Sequence, residues 1–200
     1  METQKKRIIG ITGGVGAGKS TVLALLREKF GADVFLADTC AHELMEPGTR
    51  GLEQVVQALG GSFLAPDGSV DKKALAQRIF HDKEALRTMN AIIHPLVWET
   101  LGKRAEASGR SLAVIEAAVF DTAPDGLFDE IWYVYADPEC RIRRLMESRG
   151  YSREKSLGII RNQVSDQVFR EHTDYVIGNN GDLKETRRQI REGIERNETL

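Results

Sequence analysis

The run Gly13-Gly14-Val15-Gly16-Ala17-Gly18-Lys19-Ser20 lies between the strand-like segment Arg7 to Thr12 and an apolar-periodic segment beginning near Thr21. It fits the pattern GxxxxGK[ST] in the strand-loop-helix setting that pattern needs. A loop that wraps backbone N–H groups around a polyphosphate needs glycines, because only they take the required φ values freely. Gly13, Gly16 and Gly18 supply that freedom. The following helix start offers unpaired amides and a dipole that favours an anion. Lys19 can reach β- and γ-phosphates, and the Ser20 hydroxyl can ligate Mg²⁺. A plain glycine-rich turn is the alternative, and four fixed positions in the right setting weigh against it. The expectation is a nucleoside triphosphate user with its phosphates on residues 13–21, Gly14, Val15, Ala17 and Thr21 included.

Short apolar runs recur down the chain at Ile8 to Thr12, Asp33 to Ala37, Leu112 to Ile115, Ile131 to Ala136 and Tyr175 to Ile177. Such runs read as buried parallel strands. Five of them with intervening helices predict an α/β, doubly wound P-loop nucleoside triphosphate hydrolase fold, its parallel sheet flanked by helices. At 200 residues and 41% hydrophobic composition, one compact domain is expected. Its core would comprise about 1–38, 109–137 and 173–200. The stretch of about 39–108 carries helical spacing broken at Glu46-Pro47-Gly48 and Ala65-Pro66-Asp67-Gly68, which predicts a helical insertion. A second helical excursion, about 138–172, carries Arg141, Arg143, Arg144, Arg149, Arg153, Arg161 and Arg170.

A net charge of -2 argues against nucleic acid as a partner and for a small molecule. No apolar stretch approaches the ~20 residues of a membrane span, and the basic start Lys5-Lys6-Arg7 runs into the first strand rather than a leader. Cys40 and Cys140 are isolated, without the spacing of a zinc site or a disulfide framework, so a cytoplasmic home is expected. Oligomeric state is open between a monomer and a small homo-oligomer.

In open α/β sheets ligands bind beyond the carboxyl ends of strands, so acidic residues there carry weight. Asp38 follows one strand and could accept a proton from an attacking hydroxyl; a helix N-cap is the competing role. Glu116 closes another and could position Mg²⁺ through water, or start a helix. The arginines after Ala136 can form a solvated face with ion pairs such as Arg143 with Glu139 and Glu147. A phosphoryl-transfer lid also needs such positive charge, and Arg144 is the leading candidate for it.

These residues, from about Ile8 to Arg188, resemble the dephospho-CoA kinase family. The resemblance rests on Ile9 to Thr21, Ala37-Asp38, Glu46-Pro47-Gly48-Thr49, Val70-Asp71-Lys72, Ile79-Phe80 and Asn90 to Val97. It continues through Arg144-Leu145, Asn162-Gln163 and Asp174 to Gly181. It implies ATP-dependent phosphorylation of the ribose 3′-hydroxyl of dephospho-CoA, the last step of coenzyme A synthesis, with Mg²⁺. It also implies Asp38 as base, Lys19 and the loop on ATP, Arg144 on developing charge, and 39–108 and 138–172 as acceptor-binding insertion and lid. His94 and Asp121 become acceptor-side candidates and Asn179 an ATP-side candidate. By themselves His94-Pro95 reads as a helix start and Asn179-Asn180-Gly181 as a tight turn.

Three departures stand out. Ala117 follows Glu116 where the family commonly has Pro, Ser148 stands where a second lid arginine is common, and Lys72 replaces an Arg, losing the planar fork. The rivals are a P-loop kinase of a nucleoside, nucleotide or sugar acid, a nucleotide-binding regulatory module, and a decayed kinase that turns over poorly.

Overall fold

A computed structural model describes residues 6–196; Lys5 and the outer ends of the expected core lie outside them. The five strands are β1 (Arg7–Thr12), β2 (Asp33–Leu36), β3 (Leu112–Glu116), β4 (Glu130–Tyr135) and β5 (Tyr175–Gly178). They form a parallel sheet in the order β2-β3-β1-β4-β5. Ile9 of β1 lies opposite Val114, and Ile11 opposite Trp132. Helices cover both faces of such a sheet, so its strands read as nearly unbroken apolar runs. Ile9, Ile11, Val114, Ile115, Trp132 and Val134 are fully buried. Val22 and Leu26 of α1 (Lys19–Phe30) and Ile190 of α9 (Leu183–Glu195) complete this core. The glycine loop therefore springs from the central strand.

The chain divides into two compact units. The first comprises Met1–Phe35, Ser108–Val119 and Gly126–Leu200. Within it, α6 (Pro138–Arg149) starts with Pro in its first turn and ends at Gly150, whose φ of 64° suits a residue without Cβ. Two short helices follow, α7 (Arg153–Arg161) and α8 (Asp166–Glu171), and Ser152 and Ser165 cap them by accepting from Lys155 N–H and Val168 N–H. The Phe169 ring stacks on Tyr133 with centroids 4.7 Å apart, docking α8 on β4. The ion pair expected between Arg143 and Glu139 is not the one formed. Arg153 takes both Glu139 oxygens, at 2.9 and 2.6 Å, since the turn at Gly150 brings α7 back along α6.

At the amino end of the sheet, buried Glu130 accepts from Arg7 Nη2 at 2.9 Å, Arg196 Nη2 at 2.7 Å and Trp132 Nε1 at 2.6 Å. Arg7 also donates to the carbonyls of Gly193 and Ile194, tying α9 to β1.

The second unit comprises Leu36–Ala107 and Phe120–Asp125. It contains α2 (Ala37–Glu43), α3 (Arg50–Leu59), α4 (Lys72–His81) and α5 (Lys83–Ala107), with both Pro-Gly breaks falling between helices. Thr49 and Asp71 cap α3 and α4. Phe63, Trp98 and Leu101 are buried, and Phe120 stacks on Trp98 at 5.8 Å. Among the described residues no helix is long and apolar enough to cross a membrane.

Candidate active site

In the first unit the loop is shaped by what crowds it. Gly18 caps α1 with a φ of 89°, and a Cβ there would lie 2.2 Å from the Asn179 Nδ2. A Cβ on Gly14 would meet the Arg141 guanidinium at 2.4 Å. Lys19 Nζ donates to Gly13 O at 2.6 Å and stands 3.6 Å from Glu116 Oε1. Ser20 follows, exposed, in the first turn of α1. Glu116 is the last residue of β3, opposite Ile11, so it does not start a helix; the register sets its carboxylate beside the loop.

Two arginines of α6 reach this loop. Arg144 donates from Nη1 to Ala17 O at 3.0 Å and from Nη2 to Asn179 O at 2.7 Å. Arg141, 9% exposed, donates from Nε to Val15 O at 2.8 Å and from Nη2 to Gln163 Oε1. The solvated-face alternative therefore fails for both, while Arg143 and Arg149 are exposed. Burial pushes the Arg141 guanidinium down from its ordinary value, with Asp166 opposing. Burial and a hydrogen bond with Asp166 push the Tyr133 phenol well up, so it stays protonated. Asn179 is buried: its Nδ2 donates to Ala17 O at 2.8 Å and its Oδ1 accepts from Thr186 Oγ1 at 3.1 Å. No non-glycine residue among those described has a positive φ, so Asn179-Asn180 is not the left-handed turn its composition allowed. Lys19, Glu116, Arg144 and Asn179 thus gather around one loop. Thr186 had no place in the sequence reading, Arg141 stood there only among the arginines of the 138–172 excursion, and Gln163 only within the family resemblance; helical spacing from Arg144 could have singled out Arg141, one turn earlier on the same face.

The departures have local accounts. Ala117 N–H donates to Ile11 O at 3.1 Å, a bond that Pro could not make. Ser148 Oγ donates to Arg144 O at 2.6 Å, within its own helix. Lys72 is exposed in the first turn of α4.

In the second unit, Asp38 is exposed in the first turn of α2, but Leu36 is the N-cap, so the capping alternative does not hold. His94 lies well inside the 25-residue α5 rather than at a start, the helix running on past Pro95. Its Nδ1 is 3.2 Å from Thr122 Oγ1, which accepts from Trp98 Nε1 at 3.0 Å. The indole N–H only donates, so the Thr122 oxygen accepts from Trp98 while its hydroxyl meets the His94 ring at Nδ1. Asp121 is exposed in the adjoining turn.

The dephospho-CoA kinase family model matches residues 7–185. A dephospho-CoA kinase from Geobacter sulfurreducens is 38% identical over 92% of this chain and 95% of its own length. One from Symbiobacterium thermophilum is 37% identical over 92% of this chain and 78% of its own. The crystal structure of TT1252 from Thermus thermophilus superposes with a TM-score of 0.77 at 31% identity, covering 96% of this chain and 97% of that one. With a phosphate loop on the central strand and a match over nearly its whole length, the chain belongs to the dephospho-CoA kinase family.

Proposed function

We propose how the residues divide the work of the dephospho-CoA kinase reaction, the ATP-dependent activity of this family. The acceptor oxygen is the ribose 3′-hydroxyl of dephospho-CoA. It attacks the γ-phosphorus of ATP in line, the new O–P bond forms, the bond to the β–γ bridging oxygen breaks, and ADP departs. Asp38 orients the hydroxyl and takes its proton. Lys19 leaves the Gly13 carbonyl for the phosphates, and the loop amides of residues 13–21 hold them. Arg144 stabilises the charge that develops during transfer. Asn179 keeps the loop open to the nucleotide, and His94 and Asp121 serve the acceptor side. The insertion of about 39–108 receives the acceptor, and 138–172 acts as lid.

Ser20 and Glu116 form a sparse oxygen donor set, which suits Mg²⁺, an ion that keeps waters and relies on substrate phosphates. Ser20 Oγ would ligate it directly and Glu116 through water. When bound, Mg²⁺ would neutralise charge on the β- and γ-oxygens. We place the reaction in the cytoplasm, in a monomer or small homo-oligomer.

The observation that carries this reading is that Lys19 and two arginines converge on one phosphate loop. The test is ADP release with Mg²⁺-ATP, comparing dephospho-CoA with adenosine, AMP, shikimate and gluconate, with mass detection of the product. Coenzyme A formation specific to dephospho-CoA is expected. Folded, ATP-binding protein that gives none would move the assignment to another acceptor or to a regulatory module. Asp38→Asn should lower kcat about 100-fold or more while ATP affinity holds; unchanged turnover would remove the base role.

A further inference from the structure

We infer that Gln163 and Arg141 form a clasp on the Val15 peptide that holds the phosphate loop in its receiving shape. Val15 N–H donates to Gln163 Oε1 at 3.0 Å, Val15 O accepts from Arg141 Nε at 2.8 Å, and Arg141 Nη2 donates to the same Gln163 oxygen. Three hydrogen bonds close a ring, and both backbone groups of one loop residue are taken by side chains from the arginine-bearing segment. Two donors converging on one atom identify it as the amide oxygen of Gln163. Gly14 completes the fit, since the guanidinium lies where a Cβ would be.

The energetics make Gln163 the weak point. A buried guanidinium is costly unless bonded, and an orphaned amide adds its own penalty. Removing one carboxamide deprives both donors of an acceptor. Gln163 follows the end of α7 and Arg141 sits in α6, so the clasp ties two arms of the segment to the loop. Gln163 is a positioning residue: it shapes the loop. Its effect falls on nucleotide binding, not on the acceptor. This rests on the reading that the loop holds ATP phosphates.

The test uses the full chain and the variants Gln163→Ala, Gln163→Glu and Arg141→Ala. Hydrogen exchange at the Val15 amide is followed without nucleotide. Binding of Mg²⁺ with N-methylanthraniloyl-ATP and the KM of each substrate are measured alongside. Gln163→Ala should speed Val15 exchange, weaken analogue binding and raise KM for ATP by about tenfold, and leave KM for dephospho-CoA near wild type. Gln163→Glu, which still offers an acceptor to both donors, should restore slow Val15 exchange, while its added negative charge beside Arg141 keeps nucleotide binding weak. Arg141→Ala should also release Val15. Unchanged Val15 exchange in Gln163→Ala, faster exchange in that variant with unchanged analogue binding, or no rescue of slow exchange by Glu would each overturn the clasp. A responsive clasp in a protein that makes no coenzyme A would overturn the acceptor assignment alone.

Discussion

Guanidinium groups gather at both ends of the parallel sheet, and their partners differ. At the amino end Arg7 and Arg196 share the buried carboxylate of Glu130, so part of their charge is cancelled and the ends of β1, β4 and α9 are locked together. At the carboxyl end Arg141 and Arg144 donate to carbonyl and amide oxygens, which satisfy hydrogen bonds without cancelling charge. Lys19 there donates to the Gly13 carbonyl and stands 3.6 Å from the Glu116 carboxylate. A paired cluster holds a fold together, whereas a bonded but unneutralised one keeps a field for an incoming polyanion.

The contrast is broken most directly at Lys19. Lys19→Ala should lower kcat/KM for ATP by about 1,000-fold with little change in melting temperature; a loss of stability with normal specific activity would make the carboxyl end a mere scaffold like the other. At the opposite end Glu130→Ala should do the reverse. Removing the shared buried carboxylate from half-buried Arg7 and exposed Arg196 should cost about 2 kcal/mol of unfolding free energy, measured in urea, with activity per folded molecule intact. Arg144→Ala sharpens the division, since a fall in kcat of about 100-fold should exceed its effect on stability.

The smallest effect is expected at the exposed Glu139–Arg153 pair. Its hydrogen bond holds the Glu139 carboxyl below the ordinary range. The pair's contribution is therefore full above the ordinary carboxylate range and lost as pH falls through the lowered value. Arg153→Ala should leave melting near wild type at pH 7 and differ less at low pH; a large loss at pH 7 would mean that exposed pairs also carry the fold.

Much of this molecule was legible locally. The glycine run and its flanks declared a strand–loop–helix turn, and five apolar runs located the five strands to within a residue or so at each end. Pro-Gly breaks marked where α2 and α3 give way. What the chain hid was partner choice. Arg141, Arg143 and Arg144 look alike in sequence, yet one is buried on Val15, one is exposed and one bridges Ala17 and Asn179. His94-Pro95 reads as a start because Pro cannot donate to a helix, but the buried face of α5, with Ile93, Val97 and Trp98, carries the helix through.

By itself, then, the sequence determined the phosphate loop, the doubly wound sheet and the family, because periodicity, glycine spacing and turn chemistry act over neighbouring residues. Only the tertiary structure decided which arginine is neutralised and which keeps its field, that Gln163 reaches back to Val15, and that Thr122 sets the His94 ring. Those contacts join residues far apart in the chain, and burial makes a hydrogen bond's partner matter.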